Sequence, residues 1–325
     1  MNRLLNIKQL NVSFALKQGK VHVLEDISLK INSGETVGLV GESGCGKSML
    51  ALSILKLLPQ PLAKIAKGAI LFKGLDIAQA DERQMQVIRG NDISMIFQEP
   101  MTSLNPVLKC GEQVAEVLRL HRELSAKTVR KKVLDLFKAV GISDSERRYQ
   151  SFPHQMSGGM RQRVGIAMAL ACNPELILAD EPTTALDVTI QAHILNLIKR
   201  MQEKTDAAVL FITHDLSLAA QNCSRVAVMY SGWIVEEGDV KNIFSQPLHP
   251  YTKGLLASLP RLEHGPGQNL FPIPGNVPDL KNLPTGCLFH PRCPAKRPEC
   301  EKAVPPVKTL DTGQMVKCWL YGDQS

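Results

Sequence analysis

The chain has 325 residues, of which 44% are hydrophobic and 21% charged, a balance that suits one large or two medium folded domains and excludes a disordered or fibrous protein. Its 38 Lys and Arg against 31 Asp and Glu leave a mildly basic net charge of +7, with no Lys/Arg block of the kind that marks a nucleic-acid-binding arm. No apolar run approaches the ~20 residues that span a bilayer. Residues 1–5, Met-Asn-Arg-Leu-Leu, do not begin a signal peptide, so a cytoplasmic protein is expected that meets a membrane only through a partner.

Alternating apolar residues over 10–14 and 27–31 predict half-buried antiparallel strands. The continuous run 36–40 predicts a buried strand that ends in a glycine-rich turn, and a helix is expected from Lys47 to about Leu58, stopped by Pro59 and Pro61. Helical spacing covers 112–140 and returns over 161–171. The short apolar runs 176–179 and 209–212 have the character of strands buried in a parallel sheet, and helical segments between them give an α/β pattern. After about Leu259, Pro, Gly and Cys become dense and the periodicity fades, so a loop-rich, Cys-containing extension is expected over 260–325.

Gly41-Glu42-Ser43-Gly44-Cys45-Gly46-Lys47-Ser48 fits the phosphate-loop pattern GxxxxGK[ST], directly after a predicted strand and before a predicted helix. Its glycines let backbone N–H groups turn inward around phosphate oxygens, Lys47 supplies positive charge, and the Ser48 hydroxyl suits Mg²⁺. The helix N-terminus adds a partial positive charge. Cys45 serves this loop through its backbone, and its thiol offers a point of oxidation. Downstream, the run 176–181 is a buried strand ending in two acids, Asp180 and Glu181. Carboxylates at such an edge are costly unless they meet a cation or donors. Asp180 is placed to hold Mg²⁺ and Glu181 to orient or deprotonate the attacking water.

With Ser157-Gly158-Gly159 preceding the acidic strand, the set resembles the ABC transporter ATPase family. The resemblance implies a P-loop NTPase fold of ABC type: a parallel-sheet core, an antiparallel β subdomain and an α-helical subdomain at about 99–172, within a nucleotide-binding domain over 1–259. It implies that Ser157, Gly158, Gly159 and Met160 form the signature that closes over ATP held by an opposing ATPase subunit. Gln98 resembles the glutamine that senses Mg²⁺ and the transmembrane partner, Asp187 the cross-dimer loop, and His214 the histidine that contacts the γ-phosphate. Phe14 is similar in position to the aromatic residue that stacks on adenine. Met156 and Met160 depart from the Leu and Gln common in the family.

Residues 96–106 (Ile-Phe-Gln-Glu-Pro-Met-Thr-Ser-Leu-Asn-Pro), the His-Pro-Tyr segment beginning at His249, and 273–278 resemble the branch that serves dipeptide and oligopeptide importers. That implies a peripheral subunit at the cytoplasmic face of the membrane, working with two transmembrane permease subunits and, indirectly, an extracytoplasmic solute-binding protein. The second ATPase is expected to be homologous, giving a heterodimer. Nickel or another solute is the alternative cargo. A soluble ABC ATPase acting on nucleic acid or ribosomes is the reading from another class, disfavoured by the single nucleotide module and the transporter-type glutamine loop; no nucleic acid is expected.

Of the 8 cysteines, Cys110, Cys172 and Cys223 read as small hydrophobes. Cys287, Cys293, Cys300 and Cys318 form C-x5-C-x6-C-x17-C in one Pro-rich region, which points to a metal rather than to disulfides. The spacing leaves zinc and an iron–sulfur cluster open. The resemblance to peptide-importer ATPases with similar tails implies a [4Fe–4S] cluster, with Zn²⁺ as the alternative.

Overall fold

The computed structural model describes residues 3–16, 19–98, 103–183, 188–259 and 273–322. Strands run, in chain order, at Arg3–Leu16 (β1), Gly19–Asn32 (β2), Thr36–Val40 (β3), Ala63–Phe72 (β4), Leu75–Asp76 (β5), Ile93–Ile96 (β6), Leu176–Asp180 (β7), Ala208–Thr213 (β8), Arg225–Tyr230 (β9), Trp233–Asp239 (β10), Val307–Thr309 (β11) and Met315–Lys317 (β12). Two compact units form. One comprises Met1–Leu4, Ile31–Glu35 and Gln79–Leu210, and the other Leu5–Lys30, Thr36–Ala78 and Phe211–Ser325.

The second unit holds an antiparallel sheet in the order β2-β1-β4-β5. Sequence alternation predicts only 10–14 of β1, whereas the strand begins at Arg3. The reason is a bulge. Leu5 and Ile7 are buried at odd positions and Leu10 and Val12 at even ones, because the β1–β4 register shifts between Lys8 and Asn11, where Gln9 takes a positive φ of 45°, and shifts back between Asn11 and Val12. One inserted residue switches which face is buried and erases the period from the sequence. Gly68 of β4 makes room for it: a Cβ there would lie 2.5 Å from the Gln9 carbonyl oxygen.

In the same unit β3 pairs in parallel with β9, β10 runs antiparallel to β9, and β12 extends the edge of β10 while β11 pairs with β12. The segment after 273 therefore supplies two short strands as well as loops. Its Cys287, Leu288, Phe289 and Cys300 enter one hydrophobic cluster with Val40, Tyr230, Trp233, Ile243 and Tyr251. Tyr230, Tyr251 and Phe289 meet with ring centroids 4.7, 5.2 and 5.4 Å apart, pairings worth about 0.5–1.5 kcal/mol each beyond simple burial. Beneath them Glu236, fully buried, accepts the N–H groups of Leu248 and His249 and the amide of Gln314. Three donors satisfy a carboxylate that would otherwise be costly to bury, and they fix the His-Pro-Tyr turn. His249 caps the helix Pro250–Ala257 by accepting the Tyr251 N–H on Nδ1.

The first unit pairs β6 in parallel with β7, Ile93 opposite Leu176 through Ile96 opposite Ala179. The helical spacing expected over 112–140 proves to be two helices, Cys110–His121 and Ala126–Ala139. The chain turns extended at Arg122, and the Ser125 hydroxyl accepts the Thr128 N–H to start the second helix. Likewise the helix after the glycine-rich turn stops at Ile54, ahead of the prolines, because Lys56 adopts a positive φ of 50°. Helix Gly158–Leu170 buries Val164, Ile166, Ala167 and Leu170. No helix among the described residues is long and apolar enough to cross a membrane.

Burial holds the His249 imidazole down to a pKa of about 3. In the unfolded chain the same ring takes a proton near pH 6.5. The unfolded state therefore binds more protons between these values, and stability is lost as pH falls from about 6.5 toward 3. The expected result is that the His249 ring resonance stays in its neutral position from pH 8 to pH 5 in the folded chain, checked by NMR of imidazole-labelled protein.

Candidate functional site

The glycine-rich turn closes as expected. Gly46 stands before the helix Lys47–Ile54 with φ 107°, and a Cβ there would lie 2.9 Å from Leu24 Cδ2 and 3.0 Å from Met229 Cε. Only glycine fits both the angle and the space. The helix has no acidic residue in its first turn, so its N–H groups, which lack intrahelical acceptors, present an uncompensated positive end. Lys47 is 6% exposed, and its ammonium donates to the carbonyls of Gly41 at 2.8 Å and Glu42 at 3.0 Å. Ser43 and Gly44 are exposed and Ser48 half-buried. Cys45 is 1% exposed, and burial pushes its thiol pKa up, with the Lys47 charge only partly offsetting the effect. A buried thiol with little thiolate is protected chemically, contrary to the expected oxidation sensitivity.

Glu42 is held from three directions within this unit. Its N–H donates to the Tyr251 hydroxyl at 2.9 Å, its carbonyl accepts from Lys47, and its carboxylate receives both Arg292 amino groups at 2.7 and 3.0 Å. That pairing raises the Arg292 pKa above its ordinary value, the Glu42 hydrogen bonds being the largest cause. Sequence reasoning missed Arg292 altogether and took Tyr251 only as part of a segment; nothing in either residue's local pattern signals the loop it contacts. Phe14 lies half-buried on β1, opposite Ala63. His214 follows β8, exposed, just ahead of Asp215, which caps the helix Leu216–Asn222.

The first unit carries the acidic pair. Asp180 ends β7 and is 3% exposed. Glu181, the next residue, has a positive φ of 44°, a conformation that costs a non-glycine residue ~1–3 kcal/mol and recurs where a side chain must be aimed. Its Oε2 accepts from Gln98 Nε2 at 3.0 Å, so these two residues, 83 apart in the chain, are brought together. The Gln162 amide donates to the Pro182 carbonyl and ties the following turn to the helix Gly158–Leu170. At that helix's N-terminus the Ser157 hydroxyl accepts the Met160 N–H at 3.3 Å and keeps its own proton to donate. There is again no acidic residue in the first turn. A Cβ on Gly158 would meet nothing within 4 Å, so internal packing does not require glycine here. Met156 is buried, 4% exposed, where an apolar side chain is needed. Asp187 lies outside the described residues.

Cys287, Cys300 and Cys318 are buried and Cys293 half-buried. Burial, with the other three thiols adding, pushes the Cys287 thiol up to about 11. Among the described residues, however, no group of three or more His, Cys, Asp or Glu is assembled to hold a metal ion.

A glycine cradle before an open helix end, an acidic strand terminus with a glutamine-held glutamate, and a second Ser-Gly-Gly helix end define an ATP-hydrolysing P-loop protein. Comparison gives the family. Residues 24–184 match the ABC transporter family and residues 235–300 the oligopeptide/dipeptide transporter C-terminal region. The dipeptide transport ATP-binding protein DppD of Bacillus subtilis is 51% identical over 325 residues, covering 100% of this chain and 97% of the relative. The oligopeptide transport ATP-binding protein OppD of the same organism is 50% identical, covering 98% of this chain and 89% of the relative. A dimeric ATP-binding cassette solved in a post-hydrolysis state with ADP and Pi superposes with a TM-score of 0.67 at 30% identity, over 73% of this chain and 99% of that one. The chain belongs to the ABC transporter ATPases, with the fold of that family and the C-terminal region of its oligopeptide/dipeptide branch.

Proposed function

We infer that this chain is the ATP-hydrolysing subunit that powers import of dipeptides or oligopeptides, acting as a peripheral protein at the cytoplasmic face of the membrane beside permease subunits. The Gln98–Glu181 hydrogen bond carries the hydrolytic part of this reading, because it aims a carboxylate held in a strained conformation. Gly41, Glu42, Ser43, Gly44, Cys45 and Gly46 wrap the phosphates with backbone N–H groups, Lys47 turns its ammonium from loop carbonyls to phosphate oxygens, and Phe14 stacks on the base. The Ser48 hydroxyl, the buried Asp180 carboxylate and the Gln98 amide oxygen are hard oxygen donors of the kind Mg²⁺ takes. A Mg²⁺ held by these oxygens would neutralise charge on the phosphates.

Glu181 accepts a proton from the attacking water, Gln98 keeps its carboxylate aimed, and His214 donates to the γ-phosphate. Ser157, Gly158, Gly159 and Met160 serve a nucleotide held by the opposing ATPase, a homologous subunit in a heterodimer. Asp187 belongs to the loop between the two. Closure over ATP and reopening after hydrolysis then drive the permease. In domain terms, residues 1–259 form the nucleotide-binding domain, with a helical subdomain at about 99–172, and 260–325 the extension.

Cys287, Cys293, Cys300 and Cys318 of the extension would hold a [4Fe–4S] cluster with a structural or redox-sensing role, although the described residues do not assemble three of these ligands at one metal position. Support comes from the kind and number of donors in one short segment, four thiols at 287, 293, 300 and 318. Protein purified without oxygen should carry about four iron and four acid-labile sulfide per chain. Colourless protein with one zinc per chain would replace the cluster by the alternative metal. For the hydrolytic reading, Glu181→Gln is expected to keep ATP binding and to lower turnover by ~10²–10⁴. Phosphate release by the assembled transporter checks this, and wild-type turnover would remove Glu181 from its role.

A further inference from the structure

Glu42 is the one acidic residue of the loop 41–48. A loop given to phosphate thus carries a fixed negative charge that on its own opposes an anionic ligand. Arg292 meets that charge from the far end of the chain, with Nη1 2.7 Å from Oε2 and Nη2 3.0 Å from Oε1, a bidentate fork. The arginine side chain is 5% exposed against 29% for the glutamate. It is also held from behind: Nε donates to the Pro274 carbonyl at 3.0 Å, and the guanidinium lies 5.8 Å from the Tyr230 ring centre and 6.0 Å from that of Phe289. The Tyr251 hydroxyl meanwhile accepts the Glu42 N–H and fixes the backbone at the same residue.

We propose that Arg292 of the C-terminal extension is the counter-ion of the ATP cradle, a positioning residue that neutralises Glu42 and holds it aside from the phosphates. The His-Pro-Tyr segment and the segment around Arg292 thereby gain a function that neither the phosphate loop nor the cysteines explain: they complete the electrostatics of the nucleotide site. A guanidinium so buried is expensive to place without its partner, and a carboxylate stripped of it stays uncompensated. The inference rests on the assignment of 41–48 to ATP.

The test is ATP·Mg²⁺ affinity by calorimetry on the full-length chain, with thermal unfolding recorded alongside. Arg292→Ala is expected to raise Kd about tenfold, equivalent to ~1.4 kcal/mol. Arg292→Ala combined with Glu42→Gln should return Kd to within about threefold of wild type, since the offending charge is gone. Arg292→Lys, which keeps the charge and loses the fork, should fall between. A role confined to packing would lower the unfolding temperature of both Arg292→Ala variants and leave the rescue absent. Unchanged affinity in Arg292→Ala, or a double variant no better than the single, overturns the proposal. Should Arg292→Ala fail to fold, Glu42→Gln alone carries the test: it leaves an extra positive charge at the cradle and should tighten ATP about threefold, and weakening would overturn the proposal. Lys47→Ala separates the two layers. Lost binding there upholds the cradle and leaves the Arg292 results decisive, whereas retained binding overturns the cradle assignment and this inference with it.

Discussion

Two helices of this chain, Lys47–Ile54 and Gly158–Leu170, start at a glycine, Gly46 before the first and Gly158 at the head of the second, and, like several others of the chain, carry no acidic residue in the first turn. Most of the site follows from that constraint. An open helix N-terminus concentrates N–H groups without intrahelical acceptors and about half a positive charge. Here the first has no side-chain cap at Gly46, and the second has only the Ser157 hydroxyl, which accepts the Met160 N–H. Each is thereby left ready for an anion. The glycine at 158, which no internal contact demands, makes sense when the anion comes from outside the chain.

In each unit the chemistry is a matter of placing negative charge. Asp180 and Glu181 stand at the end of a buried strand, and Glu181 is turned by a strained backbone toward Gln98. Glu42 sits within the glycine-rich loop 41–48 and is answered by Arg292, 250 residues away. The aromatic cluster of Tyr230, Tyr251 and Phe289 is the structural reason this answer reaches its target, since it packs the extension into the same core as β3 and β9.

Much of this was legible in the sequence because the motifs are local. The run 41–48, the acids after Ala179 and the Ser-Gly-Gly helix start each occupy a few consecutive residues whose chemistry is fixed by backbone geometry. The bulge at Gln9 hid most of β1, because one inserted residue reverses the alternation on which strand reading depends. The break at 122–125 escaped because helical spacing continues in phase across it while only the Ser125 cap marks the restart. Arg292 and Tyr251 were beyond reach for a deeper reason: their partner is defined by tertiary packing, and a lone arginine beside a cysteine reads as a solvated charge. The strands β11 and β12, only three residues each, are too short for any period to register.

The central claim is that phosphate is gripped by helix ends from two polypeptides, the cradle of one and the Ser157 helix of the other. Sedimentation velocity on the full-length chain with its companion ATPase, in Mg²⁺ and a saturating ATP analogue that resists hydrolysis, addresses it most directly. A two-subunit species that vanishes without the analogue, and that Ser157→Phe prevents from forming, is the predicted outcome. Subunits that stay single at saturation, or that pair equally well with Phe at 157, would contradict the account.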